Sequence, residues 1–76
     1  MPSNLVHPVA VCIRRLRIAK GLSQEELAEK ANLDRTYISG VERAVRNISL
    51  NSLSLIIDAL DMTNAEFVNA LAIELK

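Results

Sequence analysis

The sequence predicts an all-α fold, with five short helices packed into one compact domain of 76 residues. Three observations carry that expectation. Apolar residues recur at three- and four-residue spacing along most of the chain. Ser23, Asp34, Ser49 and Thr63 stand where helices would start, and two of them are followed three residues later by glutamate. Only two glycines and two prolines are present, with no alternating β-branched run to suggest a strand. No repeat, linker or low-complexity segment divides residues 1–76, so a single domain is expected.

The first helix should bury Val9, Cys12, Ile13, Leu16 and Ala19, with Pro8 near its start and Gly21 just past its end. Asn4 offers a second capping position, which would leave Pro8 inside the early turns. Ser23 and Glu26 form an S-x-x-E capping box, so a second helix begins at Gln24 and buries Leu27, Ala28 and Ala31. Asn32 stands where the chain must turn, and asparagine tolerates a left-handed backbone better than most residues. Asp34 then caps a third helix, Arg35 to about Glu42, which buries Ile38, Val41 and part of Tyr37. Ser49 caps a fourth that runs through Leu60. Thr63 with Glu66 opens a fifth.

Composition narrows the class of protein. Half the residues are hydrophobic, but Tyr37 and Phe67 are the only aromatics, so the core must be aliphatic. Cys12 is the only cysteine and lies on the apolar face of the first helix, which excludes an intrachain disulfide and fits a reducing cytoplasm. The start, MPSNLVHP, lacks the basic residues of a signal peptide, and no apolar run approaches the roughly 20 residues that cross a bilayer. A soluble, cytoplasmic protein without a membrane partner is expected. His7 is the only histidine, so no histidine-based triad or metal cluster can be assembled. Neither an enzyme, nor a cofactor, nor a metal site is expected.

Formal charge is zero but polarised. Residues 1–48 carry eight basic and five acidic side chains, a net of +3, and residues 49–76 carry −3. An anionic partner therefore suits the first part of the chain. The connection from Asn32 to Asp34 is so short that the second and third helices must cross sharply, as in a helix-turn-helix. Ala28 is small where the next helix approaches, while Leu33 and Ile38 are apolar where the two share a core.

With Ile38 and Val41 inward, Arg35, Thr36 and Ser39 point outward from the third helix and Tyr37 sits at its edge. The start of such a helix reaches base edges in the major groove, where arginine bonds guanine bidentately and threonine meets a base or a thymine methyl. Arg43, Arg46 and Asn47 follow in the next loop, placed for phosphates, and Gln24 at the start of the second helix suits the same role.

At these residues a resemblance enters. RRLRIAKGLSQEELAEKANLDRTYISGVER is similar to the helix-turn-helix of the phage-repressor-like superfamily, which implies a lambda-repressor-like fold. The longer stretch LDRTYISGVERAVRN-ISLNSLSLIIDAL resembles a narrower group, the controller proteins of restriction–modification systems. The match spans roughly Ile13 to Leu60. It implies a dimeric transcriptional regulator on double-stranded operator DNA that activates its operon when scarce and represses it when abundant, with RNA polymerase as a further contact.

Position by position, the resemblance assigns Arg35, Thr36, Tyr37 and Ser39 to the groove, and Gln24, Arg43, Arg46 and Asn47 to the backbone. It also implies an ion pair between Arg17 and Glu42. Two positions depart from the pattern. Ala44 stands where the wider family has glycine after the Glu-Arg pair, and a left-handed alanine costs about 1–2 kcal/mol. A different ending of the third helix is therefore expected. Asn32 also replaces a commoner glycine, with less strain.

The last two helices carry apolar residues on more than one stripe. Leu53, Ile56, Ile57 and Leu60 line one side of the fourth, and Leu55 with Ala59 another. Phe67, Val68, Leu71, Ala72 and Leu75 line the fifth, with Ala70 and Ile73 beyond them. A domain this small lacks neighbours to cover all of it, and surplus apolar surface marks an interface. Residues of about 49–76 are therefore expected to form a symmetric homodimer through Leu55, Ala59, Phe67, Val68 and Leu71. Two readings compete. An antitoxin-type autorepressor shares the fold but needs a toxin-binding segment, for which the residues after the fifth helix leave little length. A helical protein-interaction module would not bind DNA, and leaves the outward row of Arg35, Thr36 and Ser39 unexplained.

Overall fold

The computed structural model describes residues 4–76. Five helices follow in order: α1 (Val6–Ala19), α2 (Gln24–Ala31), α3 (Arg35–Glu42), α4 (Leu50–Ala59) and α5 (Asn64–Glu74). No strand occurs among the described residues, and no helix is long and apolar enough to cross a membrane. Helix α2 packs on α3 and α4, while α1 lies against α3 and α5.

The helix starts follow from local chemistry. The Asn4 side chain accepts from the Val6 N–H at 2.9 Å, so Pro8 falls inside the first turn, where its missing N–H has no helical partner to lose. At α2 the Ser23 hydroxyl accepts from the Glu26 N–H at 3.0 Å, and the Glu26 carboxylate accepts from the Ser23 N–H at 2.8 Å. Thr63 and Glu66 repeat the device at α5, at 3.1 and 2.8 Å. Each backbone N–H bonded in this way holds its glutamate below the ordinary carboxylate range. The Ser49 hydroxyl caps α4 by accepting from the Ser52 N–H. Asp34 occupies the expected cap position of α3, but its side chain makes no cap bond. Helix α4 ends at Ala59, one residue short of expectation, with Leu60 as its C-cap.

The turns use the left-handed region. Gly21 has φ +73°, and Asn32 takes φ 57° and ψ 44°. The expected alternative ending of α3 does not occur, because Ala44 adopts φ 60°. Two backbone bonds hold it there: Ala44 N–H donates to Val41 at 3.0 Å and Val45 N–H to Gly40 at 3.1 Å. Replacing Ala44 by glycine removes the strain but loosens the unfolded chain, by about 0.4–1 kcal/mol. Ala44→Gly should therefore gain about 0.5–1 kcal/mol in urea unfolding. A variant no more stable than the parent would show that the strain is no larger than the cost of the looser unfolded chain.

Cys12, Ile13, Leu27, Ile38, Ile56, Leu60 and Phe67 form the fully buried centre. Burial pushes the Cys12 thiol up, as for a thiol that serves packing rather than reaction. The first helix departs from its expected face: Ala19 is exposed, whereas Arg17 is buried. Two residues expected at a dimer surface also belong to the core. Phe67 is 1% exposed and Ala59 5%, because α5 turns the phenyl ring inward and α4 presses its small residue against its neighbours. Neither can offer area to a second copy.

Candidate nucleic-acid interface

Buried Ile38, Gly40 and Val41 fix the inner face of α3. That anchoring leaves Arg35 and Thr36 exposed on the first turn and Tyr37 and Ser39 half-buried beside them. The α2–α3 connection is closed by the left-handed Asn32 and a Leu33 N–H bond to Ala28 at 2.9 Å, which sets the helix-turn-helix crossing. Two donors of different reach thus project from a rigid helix end, the requirement for base reading.

Arg43, Arg46 and Asn47 are all exposed in the loop that follows. The Arg46 guanidinium carbon lies 5.0 Å from the centre of the Tyr37 ring, within cation–π range. This contact brings together one residue expected at base edges and one expected at phosphates. Gly40 makes it possible. A Cβ there would meet the Arg46 Cβ at 3.4 Å, so the bare backbone leaves a track for the arginine stem across α3. A glycine inside a helix is a sequence signal of such close approach, but nothing local says which segment approaches.

Beneath this surface Arg17 and Glu42 form a two-pronged pair. Nε and Nη2 of Arg17 donate to the two carboxylate oxygens at 2.7 and 2.9 Å, and Nη1 donates to the Leu22 carbonyl at 2.8 Å. Only 11% of the Arg17 side chain and 2% of the Glu42 side chain meet solvent. The bond to Glu42 raises the arginine's already high pKa.

Gln24 is not wholly free. Its amide donates to Glu42 at 3.1 Å, leaving one amide hydrogen for another acceptor. The pair that ties α1 to α3 therefore also orients the start of α2. The other expected interface residues divide: Leu55 and Val68 are 44% and 59% exposed, and Leu71 is half-buried. Val45 and Leu50, at 68% and 82%, give the loop after α3 an apolar edge that helical-face reasoning does not anticipate.

The helix-turn-helix family matches residues 13–67, which span the second half of α1, all of α2, α3 and α4 and the start of α5. The chain belongs to that family. A Neisseria meningitidis hypothetical transcription factor is 48% identical over 52 residues, 68% of this chain and 49% of its own length. Control protein C.BamHI of Bacillus amyloliquefaciens is 47% identical over 49 residues, 63% of this chain and 60% of its own. This chain thus spans about half to three-fifths of those two relatives.

The restriction–modification controller protein C.Esp1396I is matched over nearly its whole length. Its wild-type crystal structure superposes with a TM-score of 0.92 at 44% identity, covering 97% of each chain. The same controller has been crystallised as a tetramer in complex with its natural 35 base-pair operator, at 46% identity and a TM-score of 0.92 over 99% of this chain and all of that one. Within the helix-turn-helix family, this chain falls among the restriction–modification controller proteins.

Proposed function

We propose that the chain binds a two-fold symmetric operator duplex as a homodimer and regulates transcription of its own restriction–modification operon. It activates at low level and represses at high level. One observation carries the binding: Arg35 and Thr36 stand exposed on the first turn of α3, bordered by Arg43, Arg46 and Asn47. In this reading Arg35, Thr36, Tyr37 and Ser39 meet base edges, while Gln24, Arg43, Arg46 and Asn47 grip phosphates. The two-way regulation follows from kinship with controller proteins, and activation implies a contact with RNA polymerase in the cytoplasm. In vitro transcription from the chain's own promoter, titrated with protein, should rise and then fall. A promoter that ignores the protein at every concentration would overturn the regulatory reading.

Homodimerisation rests on Leu55, Val68 and Leu71 with the exposed Leu75 of the same helix end. Dimerisation through α4 and α5 would set two copies of α3 about one turn of DNA apart. Sedimentation at tens of micromolar should give a dimer for the parent and a monomer for Val68→Glu, whose operator affinity falls at least about tenfold. A monomeric parent would contradict the interface.

A further inference from the structure

Next to the surface already described, a groove runs along α1. Its walls are His7, Val11, Arg14, Arg15 and Ile18, with Glu42 on the far side. Glu42 holds Gln24 at 3.1 Å and immediately precedes Arg43, so the groove adjoins the rim assigned to phosphates. Residues 7, 11, 14 and 18 are spaced by four, three and four, which places them on one stripe of the helix.

The charged groups of this groove are not equivalent. Arg15 approaches the Glu74 carboxylate at 2.8 Å and donates to the Ala70 carbonyl at 3.3 Å, which turns it toward α5. Glu42, the one carboxylate in the lining, is already matched by Arg17. Arg14 is exposed and makes no hydrogen bond or ion pair among the described residues. It is the groove's uncommitted guanidinium. Val11 and Ile18, 37% and 56% exposed, give its stem apolar walls to lie against.

We propose that Arg14 is a further phosphate-binding residue, which carries the grip on the duplex backbone from the loop after α3 across to α1. A guanidinium suits this role because it meets phosphate oxygens with two parallel N–H bonds. The inference rests on the operator-binding reading above and adds a residue outside the helix-turn-helix to it.

Equilibrium binding of the full chain to a symmetric operator duplex, measured across a salt series, tests it. Each phosphate contact contributes about 0.9 to the slope of log affinity against log salt. Arg14→Gln should flatten the slope by about 0.9 per subunit, leave base preference unchanged and regain the slope as Arg14→Lys. Arg15→Gln removes the same charge from the neighbouring, already paired position and should keep the parent slope, with thermal melts showing both variants folded. Equal slopes for the parent and Arg14→Gln, or equal losses for both arginines, would overturn the proposal. A parent with no salt-dependent duplex affinity would instead overturn the operator reading beneath it.

Discussion

Replacing Glu42 by leucine alone should lower the stability of this domain by about 3 kcal/mol in urea unfolding. Its carboxylate takes both prongs of Arg17 at 2.7 and 2.9 Å, and Gln24 adds a third donor at 3.1 Å. Leucine would leave a guanidinium with only 11% of its side chain in water and one remaining acceptor, the Leu22 carbonyl. Breaking a sealed pair costs about 3–5 kcal/mol, and the residual exposure of Arg17 sets the expectation at the low end. Arg17→Met should cost a similar amount, since it strands the carboxylate instead.

The double variant, Arg17→Met with Glu42→Leu, should recover most of the loss, because two packed apolar side chains bring no charge to desolvate. It should still bind DNA less well than the parent, as Gln24 loses the acceptor that orients it. Harmless single variants would show that the pair contributes nothing, and a double variant as weak as the sum of the singles would show that its value is not mutual.

Arg35→Ala should produce the largest loss of recognition. A bidentate contact to one base discriminates by about 1–3 kcal/mol, and a dimer makes it once per half-site. The loss should be sequence-dependent: affinity falls on the operator while affinity for unrelated duplexes changes little. Arg43→Ala should behave in the opposite way, weakening all duplexes alike and flattening the salt slope by about 0.9 per subunit. Filter-binding or anisotropy titrations on matched and scrambled duplexes separate the two patterns. An Arg35→Ala variant that weakens both duplexes equally would move Arg35 from the readers to the clamps.

What could be read from the sequence was mostly what is decided within one helical turn. Ser23 with Glu26 and Thr63 with Glu66 announce their helices because the donors and acceptors lie three residues apart. Asn32 likewise carries its own turn. Ala44 departs from the expectation because the left-handed ending is closed by backbone bonds, Ala44 N–H to Val41 and Val45 N–H to Gly40, which alanine makes as well as glycine does. Arg17 breaks the apolar pattern of α1 because its partner lies 25 residues away, beyond any periodicity argument, and only the family resemblance suggested it. Gln24 stands at the start of α2 as its sequence position implies, but its bond to Glu42 spans 18 residues and has no local signal.

The outer face of α3 was legible because Ile38 and Val41 fix which side is in. The split on α5 was not. Phe67 and Val68 are neighbours on an apolar stripe, yet the ring is sealed and the valine 59% exposed, a distinction set by how α5 tilts onto α1 and α4.

In the proposed function, the start of α3 reads bases in a symmetric operator. Selection of bound duplexes from a random library, at near-physiological salt, tests it with the parent chain and Arg35→Ala in parallel. The predicted result is a two-fold symmetric motif from the parent and the same motif from the variant without its preference at one base pair per half-site. No enriched motif from the parent, or identical motifs from both proteins, would contradict it.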